Sequence, residues 1–443
     1  MLTFLVLLAD HFYWYITCVA IAGSGLYLAF RRQIFALIDP LFFFLVINEA
    51  FCIADVLFMW KFKMADGDIT LNYVLTETAL LIGILQFRGA SNKGPKSAVP
   101  LGKPSLTLRT LYSLSLILFI GLNLVVYLAR GVPLFQKSRL AIYNVGGGWG
   151  LFARSFDVFL VIIMYYLMDI ARRRSWRFSE WGTLAIVAVI EILSGAKIAV
   201  LEIFFLAGLA SYFMGSERLF FSFKSRSFKF AVAISILTAL GVAAIQSRNS
   251  NSDSGTVNSF GVLAYRMVSC GDAFIYSYPS RFAAHLDGSH PLEAIFEDYL
   301  SFFRIVPQEY LPVHIGIQIA QYFTGESNIQ TNAKHNLFGL TYFGYWGSIV
   351  YSYLVGSAIG FVRGPFRRKL LPQNWVGAIL FMMLSLGTVG MINEPDVLNW
   401  WIIGILVFLI PLIIFSNALA YSLKSLPDQN AKLLPPVQKH LES

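Results

Sequence analysis

Charge is scarce in this sequence. Only 13% of its 443 residues are Asp, Glu, Lys or Arg, whereas 57% are hydrophobic. A water-soluble domain carries a charged fraction of about 25%. The composition therefore excludes an ordinary soluble domain and predicts an all-α, polytopic integral membrane protein, whose spanning helices satisfy their backbone hydrogen bonds internally.

Cysteines and soluble-enzyme motifs are also scarce. Cys18 and Cys52 stand in apolar runs and Cys270 stands alone in a polar segment, so neither a disulfide framework nor a metal site is indicated. The chain has no phosphate-binding loop, no nucleophile elbow, no zinc pattern and no paired-aspartate motif typical of metal-dependent sugar-nucleotide transferases. We therefore expect neither a metal nor another cofactor.

Apolar runs predict about eleven membrane spans in a single transmembrane domain over residues 1–443, each close to the ~20 residues that a spanning helix needs. The spans that begin at Trp181 and Ile198 are separated only by Ser194–Lys197, and one broken or re-entrant element is the alternative. No inverted or tandem repeat is visible. The predicted spans are Phe12–Phe30, Leu41–Trp60, Leu71–Phe87, Leu111–Ala129, Phe152–Ile170, Trp181–Leu193, Ile198–Met214, Phe228–Ala244, Gly344–Val362, Trp375–Met391 and Trp400–Leu419.

Basic clusters predict the orientation. The formal net charge is +9, and most Lys and Arg residues follow alternate spans. Such clusters mark the cytoplasmic side of a membrane protein and do not indicate a nucleic-acid partner. The N-terminus is then outside and the tail, residues 422–443, inside the cell. A large loop, residues 246–343, faces outward, and loops longer than about 12–15 residues are usually functional or disordered.

Pro291–Phe303, within that loop, has helical periodicity. Its apolar residues, from Leu292 to Phe303, form one stripe with Glu293 and Glu297 off it. This pattern predicts a helix that lies in the membrane interface, and packing against other outer segments is the alternative.

Outward-facing basic residues are candidates for binding phosphate, because a guanidinium fork matches phosphate oxygens. Ordinary pairing with Asp157, Asp298 or other acids is the competing interpretation. Arg154 and Asp157, for example, are spaced i,i+3 on one helix. The outward-facing basic residues considered are Arg130, Lys137, Arg139, Arg154, Lys197, Arg248, Arg266, Arg281, Arg304 and Lys334.

The end of the large loop carries His335 and Asn336. A histidine changes protonation near neutral pH and can act as a general base, while Asn336 could orient a hydroxyl. A solvated loop histidine is the alternative. Trp149, in Gly146–Gly150, is a candidate for stacking on a sugar or for anchoring at the interface.

Several carboxylates lie inside predicted spans, where a charge is costly and is by default a functional hypothesis. Structural pairing is as good an explanation as proton handling. Glu394 and Asp396, in the last outer loop, could reach the same vestibule. The residues inside spans are Glu49, Asp55, Glu77, Asp157, Glu191 and Glu202.

Several short motifs follow one another along the chain in a distinctive order. They are Gly131–Phe135, Ser138-Arg139, Gly146–Gly150, Leu193–Lys197, Tyr265–Met267 with Gly271-Asp272, and His335-Asn336 with Gly339, Gly344 and Gly347. Their order and topology resemble the bacterial O-antigen polymerases, which join lipid-linked oligosaccharide repeat units. The resemblance covers most of the chain as architecture and only these stretches as motif. His335-Asn336 also resembles the related O-antigen ligases.

The resemblance implies a membrane glycosyltransferase of the GT-C type, acting at the periplasmic face of the bacterial inner membrane. Its partners would be undecaprenyl-pyrophosphate-linked glycans as donor and acceptor, membrane lipid and a polysaccharide chain-length regulator. His335 would be the base, Asn336 would assist it, and Arg139, Arg266 and Lys197 would contact the pyrophosphate, with Arg154 and Arg304 behind them. An O-antigen ligase and a lipid-linked oligosaccharide flippase are the alternatives.

Overall fold

The computed structural model describes residues 2–87, 104–136, 149–173, 175–196, 199–214, 233, 237, 241, 269–279, 282–325, 331–364 and 374–425. Every regular element in these residues is helical. The α-helices are α1 Leu2–Asp10, α2 Phe12–Phe30, α3 Glu49–Lys61, α4 Gly67–Leu85, α5 Leu106–Arg130, α6 Trp149–Arg172, α7 Phe178–Leu193, α8 Ala199–Phe213, α9 Asp272–Ser277, α10 Pro291–Ile295, α11 Glu297–Phe302, α12 Ile315–Thr324, α13 Lys334–Arg363, α14 Trp375–Gly390, α15 Val397–Gly404 and α16 Ile410–Ser425.

Shorter elements complete the description. A π-helical segment precedes α3, and the two together form one long apolar rod. A second π-helical segment joins α15 to α16, and these three form another rod. The π segments are Phe42–Asn48 and Ile405–Leu409, and the 3₁₀ turns are Pro133–Phe135, Ser269–Gly271, Phe282–His285 and Gln308–Tyr310.

Within the described residues, seven helices are long and apolar enough to cross a membrane, which confirms the prediction of a polytopic membrane protein. Two further apolar helices, Val200–Phe213 and Trp375–Gly390, are shorter. The predicted span Phe228–Ala244 lies almost wholly outside the described residues, and the number eleven remains a prediction. The seven are Phe12–Phe30, Phe42–Lys61, Gly67–Leu85, Leu106–Phe135, Trp149–Arg172, Lys334–Arg363 and Val397–Lys424.

Helices α4 and α13 are in direct backbone contact. A Cβ added to Gly356 would lie 2.1 Å from the carbonyl oxygen of Leu80, and one added to Gly83 would lie 2.4 Å from that of Tyr353. Only glycine permits this approach, which is how small residues bring membrane helices together without help from a hydrophobic driving force. The contact fixes the position of Glu77 on α4 relative to α13.

Helix α13 folds back on itself at Gly344, whose backbone is not helical (φ 68°, ψ −172°). His335 and Ser352 would be about 25 Å apart along a straight helix. Their side chains are nevertheless 2.9 Å apart, from Nδ1 to Oγ. Residues 334–343, called the arm below, therefore run antiparallel to residues 345–363.

Below the arm, on the predicted cytoplasmic side, lies an apolar layer that we call the inner plug: Phe30, Leu45, Leu80, Ile84, Val355, Ile359 and Val389. An ion pair between Arg363 and Asp39 closes the inner end of the plug. Arg363 also donates to Ser385 Oγ at 2.8 Å. Helix α13 is thus anchored to the beginning of the first π segment.

The predicted helix over Pro291–Phe303 is divided in the structure. It consists of α10 and α11, separated by Phe296 (φ −103°, ψ 11°). The Asn399 side chain donates to the carbonyl of Ile295, which the break leaves without a helical partner. Leu292, Phe296 and Phe303 are largely exposed, as expected of an apolar stripe that faces lipid.

Candidate active site

A group of buried polar residues lies at the N-terminal end of the arm. We call Glu49, Glu77, Lys334, His335 and Asn336 the buried cluster. Lys334, His335 and Asn336 are 0% exposed, as is Glu49. The cluster joins α3, α4 and the arm, which are remote in sequence.

Lys334 anchors the arm. Its Nζ lies 2.7 Å from Glu49 Oε1 and donates to Asn393 Oδ1 at 2.6 Å. Its backbone N–H donates to the carbonyl of Asn393 at 2.8 Å. Lys334 adopts φ 57°, a left-handed conformation that costs about 1–2 kcal/mol for a residue with a side chain. The ion pair and the loop at Asn393 hold this strained start of the helix in place.

His335 is held between a hydroxyl and a carboxylate. Its Nδ1 is 2.9 Å from Ser352 Oγ, and its Nε2 is 3.4 Å from Glu77 Oε1. Nε2 has no hydrogen-bond partner among the described residues. His335 is therefore not a solvated loop side chain. Ser352 orients Nδ1, and Nε2 lies beside the carboxylate of Glu77.

Asn336 connects the arm to α4. Its Nδ2 donates to Thr76 Oγ1 at 2.9 Å and to Glu77 Oε1 at 3.0 Å. Its Oδ1 has no partner in the described part of the chain. The same Glu77 oxygen therefore faces both Asn336 and His335.

The cluster lies deep in the bundle. Glu49 is twelve residues from Lys61 at the outer end of α3, or about 18 Å along the helix, and Glu77 is ten residues from Gly67, or about 15 Å. A bilayer core is about 30 Å thick. Ionisable groups at this depth are expensive and are functional candidates by default.

Some polar atoms of the cluster and its surroundings lack a hydrogen-bond partner in the described residues, namely Asn336 Oδ1, His335 Nε2 and Tyr278 Oη. An unsatisfied buried polar atom costs about 1–3 kcal/mol. Such atoms are normally paired with protein or ordered water. So many together point to a site that accepts water or the hydroxyls of a ligand.

On the outer side of the cluster lies a cleft, which we call the outer cleft, lined by Glu297, His314, Phe338, Tyr342, Glu394 and Asp396. Ala333, the residue before the arm, also lines it. The outer cleft and the buried cluster are thus adjacent, because Ala333 directly precedes Lys334.

Acids dominate the outer cleft. His314 Nε2 lies 3.1 Å from Glu297 Oε2 and 3.7 Å from Asp396 Oδ2. Burial raises the pKa of Glu297 to about 7, although His314 opposes this shift. Burial also disfavours protonation of His314, but Asp396, Glu297 and Asp298 outweigh it and raise its pKa. Burial raises the pKa of Glu394 as well.

Arg154 lies beside this cleft, and its guanidinium is already occupied. It forms an ion pair with Asp298 and lies 4.8 Å from the ring of Trp400 and 5.5 Å from that of Phe302. Asp157, the other partner considered from the sequence, accepts from Trp400 Nε1 at 2.8 Å instead.

The other sequence candidates are dispersed. The Trp149 ring lies 5.0 Å from the guanidinium of Arg130. Arg304 is exposed at a turn with φ 52°. Arg139, Lys197 and Arg266 lie outside the described residues.

Sequence reasoning identified some members of the site and missed others. The buried acids Glu49 and Glu77 were flagged because charge inside a span is costly, and Asp396 was expected near the vestibule. Lys334 was seen only as one outward cation among many. Nothing in the local sequence around His314 distinguishes it from His285 or His290.

Comparison with known proteins gives no match: no protein-family model, curated protein or solved structure is similar to the chain. The fold and site therefore define a class only. This is a helical membrane protein with an ionisable cluster inside its bundle and an acidic cleft next to it.

Proposed function

We propose that the protein is a glycosyltransferase that polymerises undecaprenyl-pyrophosphate-linked oligosaccharide repeat units at the periplasmic face of the inner membrane. The observation that carries the proposal is the arm. It brings His335 and Asn336 from the outer segment to Glu77, 3.4 Å and 3.0 Å from one carboxylate oxygen. This is an acid–base group beside a cleft on the outer side.

In the proposed reaction, a sugar hydroxyl of the acceptor repeat unit attacks the anomeric carbon of the donor glycan. The bond from that carbon to the pyrophosphate oxygen breaks, and lipid pyrophosphate leaves with the bonding electrons. The hydroxyl proton passes to a base, for which His335 remains our prediction. Ser352 fixes the orientation of the imidazole, and Glu77 stabilises the imidazolium that forms.

The leaving pyrophosphate requires cations, which act as fixed donors for the developing charge. Arg139, Arg266 and Lys197 remain predicted contacts. Arg154 fits the role less well, because binding a phosphate there would require it to leave Asp298. Trp149 remains a predicted stacking surface for a sugar ring.

Deletion of the gene in its native host tests the proposal, with the surface glycan analysed on a gel beside wild type. A polymerase predicts that the ladder collapses to core plus a single repeat unit. Bare core with accumulated long lipid-linked polymer would identify a ligase instead. An unchanged ladder would refute both.

A second candidate function, a flippase for lipid-linked oligosaccharides, is favoured by one observation. The Lys334–Glu49 pair and the His335–Glu77 pair lie at the depth where transporters hold their binding sites. In the same deletion strain, a flippase predicts that single repeat units stay on the cytoplasmic leaflet. A polymerase predicts that they reach the periplasmic leaflet.

A further inference from the structure

Two carboxyl groups meet inside the buried cluster. The side chain of Glu77 on α4 is hydrogen-bonded to that of Glu49 on α3, and only 6% of Glu77 and none of Glu49 is exposed. An ionised carboxylate can only accept hydrogen bonds, so a hydrogen bond between two carboxyl groups requires a proton on one of them. The contact therefore holds at least one proton.

The charge of Lys334 limits the pair to one proton. Its Nζ lies 2.7 Å from Glu49 Oε1, and its side chain is fully buried. With one proton on the pair, Lys334, Glu49 and Glu77 together are neutral, since one cation faces one carboxylate. Two protons would leave the buried ammonium group without a counter-charge, and no proton would leave two carboxylates in contact. Both arrangements are costly.

The same contacts indicate which carboxyl group carries the proton. A neighbouring ammonium group favours the ionised form of a carboxyl group, and it is Glu49 that pairs with Lys334. Glu77 accepts hydrogen bonds from neutral groups, because Asn336 Nδ2 donates to its Oε1 at 3.0 Å and the hydroxyl of Tyr73 is also bonded to its carboxyl group. The proton therefore belongs to Glu77, whose hydroxyl donates to Glu49.

Six other titratable groups face these side chains, and none of the six supplies a cation. They are Cys52, Asp55, Tyr73, Cys270, Tyr278 and Glu394. The two acids among them have other partners, because Tyr15 donates to Asp55 Oδ1 at 2.7 Å and the backbone of Ala333 donates to Glu394. Lys334 is therefore the cation that the Glu49–Glu77 pair balances.

His335 lies on the other side of Glu77. Its Nε2 is 3.4 Å from Glu77 Oε1, and its side chain is fully buried. A neutral Glu77 leaves the imidazole without a counter-charge, so the uncharged imidazole is favoured. The uncharged imidazole is also the form that can accept a proton.

We propose that Glu49 and Lys334 are positioning residues, which hold a single shared proton on Glu77 and so keep His335 uncharged between turnovers. When His335 takes the proton of a sugar hydroxyl, the shared proton moves from Glu77 to Glu49, which places the carboxylate beside the imidazolium. Lys334 keeps its hydrogen bond to Asn393 at 2.6 Å in both states. The role of His335 rests on the proposed function, whereas the shared proton rests on the contacts of the buried cluster alone.

Infrared spectroscopy counts protonated carboxyl groups directly, because their carbonyl stretch is separate from the amide bands. The sample is the purified full-length protein in lipid nanodiscs at pH 7, with the carboxyl band normalised to the amide signal. We expect Glu77→Gln to remove the intensity of one protonated carboxyl group. Glu49→Gln should also remove one, because Glu77 then ionises to balance Lys334, and the double variant should again remove only one. No loss in either single variant, or a loss of two groups in the double variant, would overturn the proposal.

Variants of Lys334 test the charge balance. Lys334→Gln should add one protonated carboxyl group, since both acids then carry a proton, and Lys334→Arg should leave the band as in wild type. An unchanged band in folded Lys334→Gln would overturn the assigned balance, and if size-exclusion chromatography shows that this variant does not fold, the Glu49 and Glu77 variants decide. The matched control is Glu293→Gln, whose carboxylate is well exposed and whose loss should leave the band unchanged.

The pH profile of polymer formation separates positioning from a purely structural role. In Glu49→Gln the ionised Glu77 favours the imidazolium form of His335, so the acid limb of the profile should move about one pH unit or more to higher pH. Membrane vesicles from the complemented deletion strain, with the polymer quantified on gels at each pH, measure this shift. A uniform loss of activity at every pH would mean that Glu49 only supports the fold, and would overturn its positioning role.

The two proposals fail separately. A ladder that collapses in the deletion strain, while the infrared band does not change in either single variant, would refute the shared proton alone. A band that falls by one group in both single variants and in the double variant, together with an unchanged ladder in the deletion strain, would refute the polymerase and leave the shared proton in place.

Discussion

At the scale of single residues, the site depends on His335. Its two nitrogens face Ser352 and Glu77, and no part of it is exposed. A residue in this position either takes part in proton transfer or holds the arm against residues 345–363 of the same helix. These roles separate when the side chain is replaced by an amide that keeps hydrogen bonds but does not take up a proton.

We predict that His335→Gln gives folded protein without polymer, a loss of at least 100-fold, within the range that general-base removal produces. Ladder formation in the complemented deletion strain measures activity, and size-exclusion chromatography in detergent measures folding. Ser352→Ala, which removes only the orienting hydroxyl, should retain partial activity. Full activity of His335→Gln would eliminate His335 as the base.

A second residue-scale prediction concerns Glu297 and pH. Burial raises its pKa in the folded protein to about 7, against about 4.3 when unfolded. The folded state therefore binds the proton more tightly, and the contribution of Glu297 to stability falls as the pH rises from about 4 through 7. His314, whose pKa is also raised, loses its contribution in the same direction. The remaining charged neighbours are Asp396, Asp298 and Arg154.

Glu297→Gln should consequently have little effect on the apparent Tm at pH 5. At pH 8 it should raise the Tm above that of the wild type, because the free energy of unfolding increases by an amount on the order of 1–2 kcal/mol. Thermal unfolding in detergent, followed by intrinsic fluorescence at both pH values, measures this. Glu293→Gln, the same substitution at a well-exposed position on the neighbouring helix, serves as the control for loss of a surface carboxylate. An equal shift at pH 5 and pH 8 would contradict the assigned direction.

Residue-scale geometry is also where the sequence was least informative. Asn336 and Glu77 are 259 positions apart in the chain, and no local pattern connects them. Glu77 could be recognised as a candidate from the sequence, because a carboxylate inside an apolar span is costly wherever its partners lie. Its partners depend on how close α4 and α13 approach, and hence on Gly83 and Gly356.

At the scale of elements, the fold-back at Gly344 decides where the arm ends. A Cβ at Gly344 would meet nothing within 4 Å, so substitution there tests the backbone conformation alone. The combination of φ 68° and ψ −172° lies in a region that is essentially restricted to glycine.

We predict that Gly344→Ala costs about 1–3 kcal/mol and displaces the arm, so that a cysteine placed at Asn336 becomes accessible to a small maleimide. The labelling rate in detergent, measured with Cys18, Cys52 and Cys270 replaced by serine, reports the displacement. Gly25→Ala is the matched control, since that glycine lies in helical backbone and also has nothing within 4 Å of its added Cβ. Unchanged protection of position 336 would show that the arm does not depend on this turn.

Element boundaries were predictable where the apolar run alone sets them. The span Phe12–Phe30 has the predicted ends, because its length and hydropathy are sufficient information. The prediction of one continuous helix over Pro291–Phe303 was wrong. The periodicity of that segment contains no information on Asn399, whose side chain donates a hydrogen bond to the carbonyl of Ile295. The fold-back of α13 was missed for a similar reason, because Gly344 has helical residues on both sides.

At the scale of the whole molecule, the proposed functions require that the outer cleft faces the periplasm. That orientation comes from the distribution of basic residues. It predicts that Arg32 and Asp68, both exposed, lie on opposite sides of the membrane.

In a cysteine-free background, Asp68→Cys should react with a membrane-impermeant maleimide in spheroplasts, whereas Arg32→Cys should react only after permeabilisation. Gel-shift quantification of the labelled fraction measures both. The reverse pattern would place the cleft in the cytoplasm and remove the basis for a periplasmic polymerase.

The inner plug has a further consequence. A group of ionisable residues halfway across a bilayer would allow protons to leak down the membrane potential if water reached it from both sides. Below the cluster stand apolar side chains such as Leu80, Val355 and Ile359, each fully buried or nearly so, and the Arg363–Asp39 pair closes the inner end. Under the proposed function, this apolar layer would let acid–base chemistry proceed near the outer face without providing a path by which protons discharge the energised membrane.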